Sequence, residues 1–187
     1  MKQVVHTILK ELEELATHIN DDELEDVSTL LCEAHTNHSR IFLAGAGRSG
    51  CVVKAFTNRL MHLGFQCYLV GDITTPPIKE NDILFLLSGS GKTTSLVSMA
   101  NKATQLNATI LTITLQKDGD IAKLAKACIV LPGTTRLQDK DMFKSIQPVG
   151  SSFEQLSWLT CDGLIMLLKN KLNLTNDNLI VHHANLE

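Results

Sequence analysis

The stretch that decides the fold is Ile41-Phe42-Leu43-Ala44-Gly45-Ala46-Gly47-Arg48-Ser49-Gly50. Its first four residues are continuously apolar, which is typical of a strand buried on both faces. Glycines follow at once, and the residues after Gly50 have helical periodicity. A glycine-rich turn lets the backbone approach a ligand closely, and the start of a helix offers unpaired N–H groups that suit an anion. The stretch therefore predicts a strand–turn–helix unit with a candidate ligand site at its turn.

The rest of the chain repeats this alternation of strand and helix. Further apolar runs predict buried strands at 67–70, 83–87, 109–114 and 128–131. Helices are expected between most of them, at 49–63, 92–106 and 119–126, with a loop at 71–82. Helical periodicity also predicts helices at 4–19, 23–37, 151–170 and 176–183, the second opened by a capping box of Asp22 and Glu25. The pattern indicates an α/β fold, a three-layer αβα sandwich around a five-stranded parallel sheet.

Composition narrows the class of protein. The 187 residues are 44% hydrophobic and 20% charged, which excludes a disordered chain. The net charge is −3 and aromatic residues make up only 4%, so we expect no nucleic-acid partner. Five cysteines without a CxxC pair favour a reducing, cytoplasmic setting. No apolar run approaches the roughly 18 residues of a membrane span, so no membrane partner is expected. We expect one domain, with N-terminal helices (1–38), a core (39–170) and a C-terminal helix and tail (171–187).

Three interpretations of the first turn stay open. Gly45, Gly47 and Gly50 satisfy the spacing GxGxxG, and Asp72 follows the next strand, as in a dinucleotide-binding Rossmann protein. A phosphate group alone would also suit the glycines and the helix start. The third possibility is a tight turn that binds nothing.

A second turn follows the third predicted strand, at Ser88-Gly89-Ser90-Gly91-Lys92-Thr93-Thr94. It is similar to a Walker A loop, but that motif needs glycine five positions before Gly91, where this chain has Leu86. The turn does supply hydroxyls and backbone N–H groups at a helix start, unless it is only a serine-rich cap. Ligands of open α/β sheets bind at the carboxyl ends of the strands, so both turns could face one crevice. Hydroxyls and amides with little charge suit a small phosphorylated sugar.

At these residues the chain resembles a sugar isomerase (SIS) domain, and most closely the 6-phospho-3-hexuloisomerase family of bacteria and archaea. The pieces that carry the resemblance are Ala44–Gly50, Arg59–Gly64, Ser88–Thr93 and Gln147–Gln155. It implies a flavodoxin-like SIS domain and interconversion of D-arabino-3-hexulose 6-phosphate and fructose 6-phosphate, in formaldehyde fixation by the ribulose monophosphate pathway. It further implies a homotetramer. Such an isomerisation passes through a cis-enediol and needs no cofactor and no metal.

Placed position by position, the resemblance gives Glu154 the role of catalytic base. It gives Ser49 and the stretch Ser88, Gly89, Ser90, Gly91, Lys92 and Thr93 the role of substrate binding, and Gly47 belongs to the same first turn. The residues alone offer a second interpretation of Glu154, because Ser151-Ser152-Phe153-Glu154 also fits a capping box. Arg48 and Lys92 lie beside the two turns, where each either pairs with the ligand or points to water.

Two histidines are further catalytic candidates. His62, near the end of the helix after the first turn, could carry a proton, or could be a helix-end histidine that favours the dipole. His183 ends the last helix and could reach a neighbouring subunit's site, or be merely solvated. Arg59 shares a helix face with His62 and is expected to line the same cleft. His35 and His38 lack acidic or thiol partners, so no metal site is predicted.

Two other kinds of function stay open beside the hexuloisomerase. One is another SIS isomerase acting on a different phosphosugar. The other is a non-catalytic SIS module that senses a sugar phosphate. The loop 133–150, with Thr134, Thr135, Arg136 and Lys144, could contribute to the pocket.

Overall fold

A parallel sheet organises the protein, whose computed structural model describes residues 1–133 and 145–186. Within them, five strands lie in the order β2-β1-β3-β4-β5, and every neighbouring pair is parallel. The strands are β1 (Ile41–Gly45), β2 (Cys67–Leu69), β3 (Ile83–Leu87), β4 (Thr109–Thr114) and β5 (Ala127–Val130). This confirms the predicted α/β sandwich, and the strand order is the flavodoxin-like one.

Helices cover both faces of the sheet. They are α1 (Lys2–Ala16), α2 (Asp21–Thr36), α3 (Arg48–His62), α4 (Thr94–Gln105), α5 (Ser151–Lys171) and α6 (Asn176–Val181). Side chains of β1 alternate between the faces. Ile41 and Leu43 join a core with α1, α2, α3 and α5, whereas Phe42 and Ala44 join a smaller core with α4. No helix in the described ranges is both long and apolar enough to cross a membrane.

The predicted helix at 119–126 is wrong, because only one 3₁₀ turn, Ala122–Leu124, forms there. Ile121 is fully buried, and its N–H donates to the carbonyl of Gly91. The backbone of this short connection is therefore hydrogen-bonded to the second glycine-rich turn as well as within itself, where the N–H of Lys123 donates to the carbonyl of Gly119.

The capping box predicted at the start of α2 is wrong as well. The helix begins two residues earlier, with Asn20 as N-cap, and the Asn20 side chain accepts a hydrogen bond from the N–H of Asp22 at 2.9 Å. Glu25 instead forms an ion pair with Lys171 at the end of α5. Asn20, one residue before the two aspartates, caps the helix in place of Asp22. Glu25 pairs with a residue that is distant in sequence.

The sheet register brings the two glycine-rich turns together. Strands β1 and β3 are direct neighbours, and Gly45, the last residue of β1, pairs with Leu87, the last residue of β3. The chain leaves β1 toward one edge of the sheet and β3 toward the other, and such a reversal point opens a crevice at the carboxyl ends of the strands. The candidate site therefore lies at this reversal point.

Candidate active site

The first turn is built from close backbone contacts. A β-carbon on Gly50 would lie 2.8 Å from the carbonyl oxygen of Gly45, so residue 50 has to be glycine. Gly47 is the N-cap of α3 with a φ of 57°, a conformation that favours glycine. No described side chain caps this helix start, which leaves its N–H groups available to a ligand. Ser49 is buried directly behind the turn.

The second turn presents hydroxyl groups at the start of α4. Ser88 is buried, and its Oγ lies 3.4 Å from Oγ1 of Thr93, the N-cap of α4. The hydroxyl of Ser90 accepts a hydrogen bond from the N–H of Lys92 at 3.3 Å. Within the described residues, the side chain of Thr93 makes no capping bond, so here too the helix start is open to a ligand. The Lys92 side chain is exposed.

The start of α5 completes the site. A β-carbon on Gly89 would lie only 3.1 Å from Cδ1 of Phe153, so the Phe153 ring lies directly on the second turn. The next residue, Glu154, reaches the first turn, where its Oε2 accepts a hydrogen bond from Nε of Arg48. This bond raises the pKa of the Arg48 guanidinium above its ordinary value. Glu154 thus lies between the two turns that the sequence singled out.

The capping box predicted at Glu154 does not form. Gly150, in the left-handed conformation with a φ of 90°, is the N-cap of α5, and Ser151 already lies inside the helix. No side-chain capping bond is present at this helix start among the described residues. The carboxylate of Glu154 points to Arg48 instead. The local interpretation of Glu154 is therefore wrong.

A groove of about 500 Å³ opens beside the Arg48–Glu154 pair. We call it the Glu154 groove, and it runs between α1, α3 and α5. Its lining residues are Leu9, Leu12, Arg48, Cys51, Val52, Glu154, Gln155, Trp158 and Leu159. One end is charged and the rest is largely apolar, and Leu9, Trp158 and Leu159 are half exposed.

His62 and His183 form a separate cluster. Their rings stack with centroids 4.4 Å apart and an angle of 15° between planes. With Arg59, Asp162 and other residues they line a cavity of about 400 Å³, which we call the histidine cavity. His62 lies fourteen residues after Arg48 on α3, which is about 21 Å along the helix axis at 1.5 Å per residue. Within one chain, therefore, the structure does not bring these histidines to Glu154.

Sequence reasoning did not find the Arg48–Glu154 pair or the side chain that joins the two cavities. Trp158, one helical turn after Glu154, lines both the Glu154 groove and the histidine cavity. Its spacing of four from Glu154 on a long helix was an available signal. The loop residues Thr134, Thr135, Arg136 and Lys144 lie outside the described residues.

Comparison with known proteins identifies the family of the chain. The profile of the SIS domain matches residues 36–157, from the end of α2 through the start of α5. A Bacillus subtilis (strain 168) protein named 3-hexulose-6-phosphate isomerase is 40% identical over 185 residues, covering 99% of this chain and 98% of the relative. The chain belongs to the SIS-domain family and, within it, to the 3-hexulose-6-phosphate isomerase family.

Two further relatives extend the comparison. A Methanocaldococcus jannaschii protein of the same name is 35% identical over 167 residues, covering 89% of this chain and 87% of its own. A solved structure from Methanococcus jannaschii, from which a molecular function of 3-hexulose-6-phosphate isomerase was inferred, is 31% identical. It has a TM-score of 0.78 over 100% of both chains.

Proposed function

We propose that this protein interconverts D-arabino-3-hexulose 6-phosphate and fructose 6-phosphate, with Glu154 as the base. One observation carries the proposal: Glu154 lies beside both open helix starts, touching the first turn through Arg48 while its neighbour Phe153 covers Gly89 of the second. A phosphate and a proton acceptor are the two groups that such an isomerase needs. The relatives' names supply the particular sugar.

In our proposal the phosphate binds at the open ends of α3 and α4. Backbone N–H groups and the positive ends of two helix dipoles favour an anion there, which compensates for the protein's net negative charge. The hydroxyls of Ser49, Ser88, Ser90 and Thr93 are suited to phosphate and sugar oxygens. Gly47, Gly89 and Gly91 allow the ligand to approach the backbone. Lys92 and Arg48 add positive charge at the rim.

The reaction moves one C–H proton and one O–H proton. Glu154 takes the proton from C2 of the hexulose, the freed electron pair forms the C2=C3 double bond, and the C3 oxygen takes up a proton to give a cis-enediol. The C2 hydroxyl then loses its proton, C2=O forms, and Glu154 returns its proton to C3. Electrons stay within the sugar, so the chemistry needs neither a redox cofactor nor a metal. Positioned proton transfer of this kind contributes about 10²–10⁴-fold to the rate.

We propose that His62 or His183 carries the proton between the two sugar oxygens, acting in the site of another subunit. His62 lies about 21 Å from Arg48 along α3, and His183 stacks on His62, which argues against action within one chain. Exposed apolar side chains on α1 and in the Glu154 groove, among them Val4, Val5, Leu9 and Leu159, favour an assembly of several copies. We therefore propose a homotetramer with shared sites, in which Arg59 and the histidine cavity of one copy face the Glu154 groove of another.

A module that only senses a sugar phosphate would need the two turns but no base beside them. The position of Glu154 therefore favours catalysis. We place the reaction in formaldehyde fixation by the ribulose monophosphate pathway, because that pathway makes this hexulose phosphate.

The test is a coupled assay. Hexulose 6-phosphate is generated from formaldehyde and ribulose 5-phosphate, and fructose 6-phosphate is measured. We expect turnover by the natural protein and a loss of about 10²–10⁴-fold in Glu154→Gln. The matched control is Glu25→Gln, an exposed carboxylate on α2, which should keep full activity. No turnover by the natural protein, or full activity in Glu154→Gln, would contradict the proposal.

A further inference from the structure

Arg48 belongs to two parts of the site at once. Its backbone lies in the first turn, between Gly47 and the buried Ser49, at one of the two helix starts where we place the phosphate. Its side chain crosses to α5 and donates a hydrogen bond to Glu154. One guanidinium is therefore next to both the candidate base and the candidate phosphate position, which are 106 residues apart in sequence.

We propose that Arg48 changes partner when the phosphate binds. Arg48 pairs with Glu154 until the phosphate arrives and then moves to the phosphate, which leaves Glu154 free to act as the base. This inference rests on the proposed function and adds to it a device that couples recognition of the phosphate to the chemistry.

The exposure of the two side chains identifies which of them can move. The Arg48 side chain is 68% exposed, whereas that of Glu154 is only 16% exposed. An ion pair with one exposed, flexible partner contributes little to stability, so exchanging it is easy. A phosphate offers the planar guanidinium a second anion that it can hold with two parallel hydrogen bonds.

The consequence is a requirement for phosphorylated substrates. While Oε2 of Glu154 accepts the hydrogen bond from Arg48, that oxygen is occupied and is not free to take a proton from the sugar. A sugar without phosphate leaves the Arg48–Glu154 pair intact, so the base stays engaged. A phosphosugar removes Arg48 and frees the base in the same binding event.

The test measures binding of inorganic phosphate by calorimetry at pH 8 and low salt. The proteins are the natural sequence, Arg48→Met, Glu154→Gln and the double variant. If Arg48 reaches the phosphate and Glu154 competes for it, Arg48→Met weakens phosphate binding in both backgrounds, and more when residue 154 is Gln. We expect roughly a threefold loss with Glu154 present and roughly tenfold with Gln.

Each other result overturns the inference. Equal losses in the two backgrounds mean that Glu154 does not compete, and no loss with Glu154 present means that Arg48 stays on the carboxylate. Absence of phosphate binding to the natural protein removes the premise. Lys92→Met is the matched control: it removes a charge beside the other turn, and its effect should be the same with Glu or Gln at 154. If Arg48→Met lowers the melting temperature, Arg48→Lys, which keeps the charge, replaces it in the same comparison.

The outcome is separable from that of the proposed function. Suppose that the natural protein isomerises the hexulose phosphate, but Arg48→Met lowers phosphate affinity equally with Glu and with Gln at residue 154. The proposed function then stands, and the change of partner by Arg48 is refuted.

Discussion

The ring of Phe153 lies directly on Gly89. A β-carbon at residue 89 would lie 3.1 Å from Cδ1 of that ring and 3.2 Å from Cε1. This contact joins the second turn to the residue before Glu154. It makes the position of the base dependent on the absence of a side chain at residue 89.

Gly89→Ala is therefore expected to lower activity. The added methyl group has to push Phe153 aside, and the first turn of α5 moves with it, which displaces Glu154 by a few tenths of an ångström or more. We expect kcat to fall at least about tenfold, since misplacement of a catalytic group is costly, and stability to fall by about 1–3 kcal/mol. The measurements are steady-state kinetics and urea unfolding.

Gly163→Ala on the same helix is the control. A β-carbon there meets nothing within 4 Å in the described part of the chain, and alanine is the better helix former by roughly 0.5–1 kcal/mol. This variant should unfold at a higher temperature and keep its kcat. Equal kinetic effects of the two substitutions would argue that Gly89 has no special relation to the base.

Mixing two variants, one without the base and one without a histidine of the stacked pair, tests whether sites are shared between subunits. Glu154→Gln lacks the base, and His183→Ala lacks one member of the stacked histidine pair. If the histidine cavity of one copy serves the base of another, hybrids refolded from a mixture contain some complete sites and regain a measurable part of the activity. The readout is turnover of the mixture against each variant alone, beside the mass of the assembly by light scattering. A mixture no more active than the sum of its parts would contradict shared sites.

Arg40 and Asp82 predict a stability effect away from the site. Asp82 is buried, and its carboxylate accepts hydrogen bonds from Nε of Arg40 at 3.0 Å and from the N–H of Lys79 at 2.7 Å. The pair fixes the 71–82 connection against β1 and β3. Asp82→Asn leaves the guanidinium without its charged partner, so we expect a loss of about 2–3 kcal/mol in urea unfolding. An unfolding free energy within 0.5 kcal/mol of the natural protein's, roughly the size of an ordinary surface change, would contradict it.

Two cysteines predict a loss of stability in alkali. Burial raises the pKa of Cys67 and of Cys128 from about 9 to about 12. Between these values the thiols ionise in the unfolded chain while they stay protonated in the folded one. The unfolded state then binds fewer protons, so stability falls as the pH rises from about 9 to about 12.

The measurement is the free energy of unfolding at pH 8 and pH 10.5, for the natural protein and for Cys67→Ala. The variant starts less stable, because the substitution removes packing, but its decline with pH should be shallower by about 1–2 kcal/mol. Cys51→Ala is the control, since Cys51 is exposed, and its decline should match that of the natural protein. Parallel declines in Cys67→Ala and the natural protein would refute the prediction.

Short sequence patterns predicted the elements whose formation depends on residues that are close together in the sequence. Buried parallel strands are continuous apolar runs, so each strand was located to within about a residue at either end. The start of α5 is the opposite case: Ser151 and Glu154 fit a capping box, yet Gly150 in the left-handed conformation begins the helix and Glu154 pairs with Arg48. A contact across 106 residues leaves no mark in a short window of sequence. The 3₁₀ turn at Ala122–Leu124 escaped prediction for a similar reason, since Ile121 bonds to Gly91.

The pairing of Gly45 with Leu87 also constrains how this site can change. Inserting one residue into β3 would carry the second turn about 3.3 Å along the strand axis, farther than a hydrogen bond is long, and would send alternate side chains to the opposite layer. Exchanging one apolar residue for another inside β1 or β3 leaves the spacing between phosphate position and base untouched. Among related enzymes we therefore expect the types of residue in these strands to vary and the number of residues to stay constant.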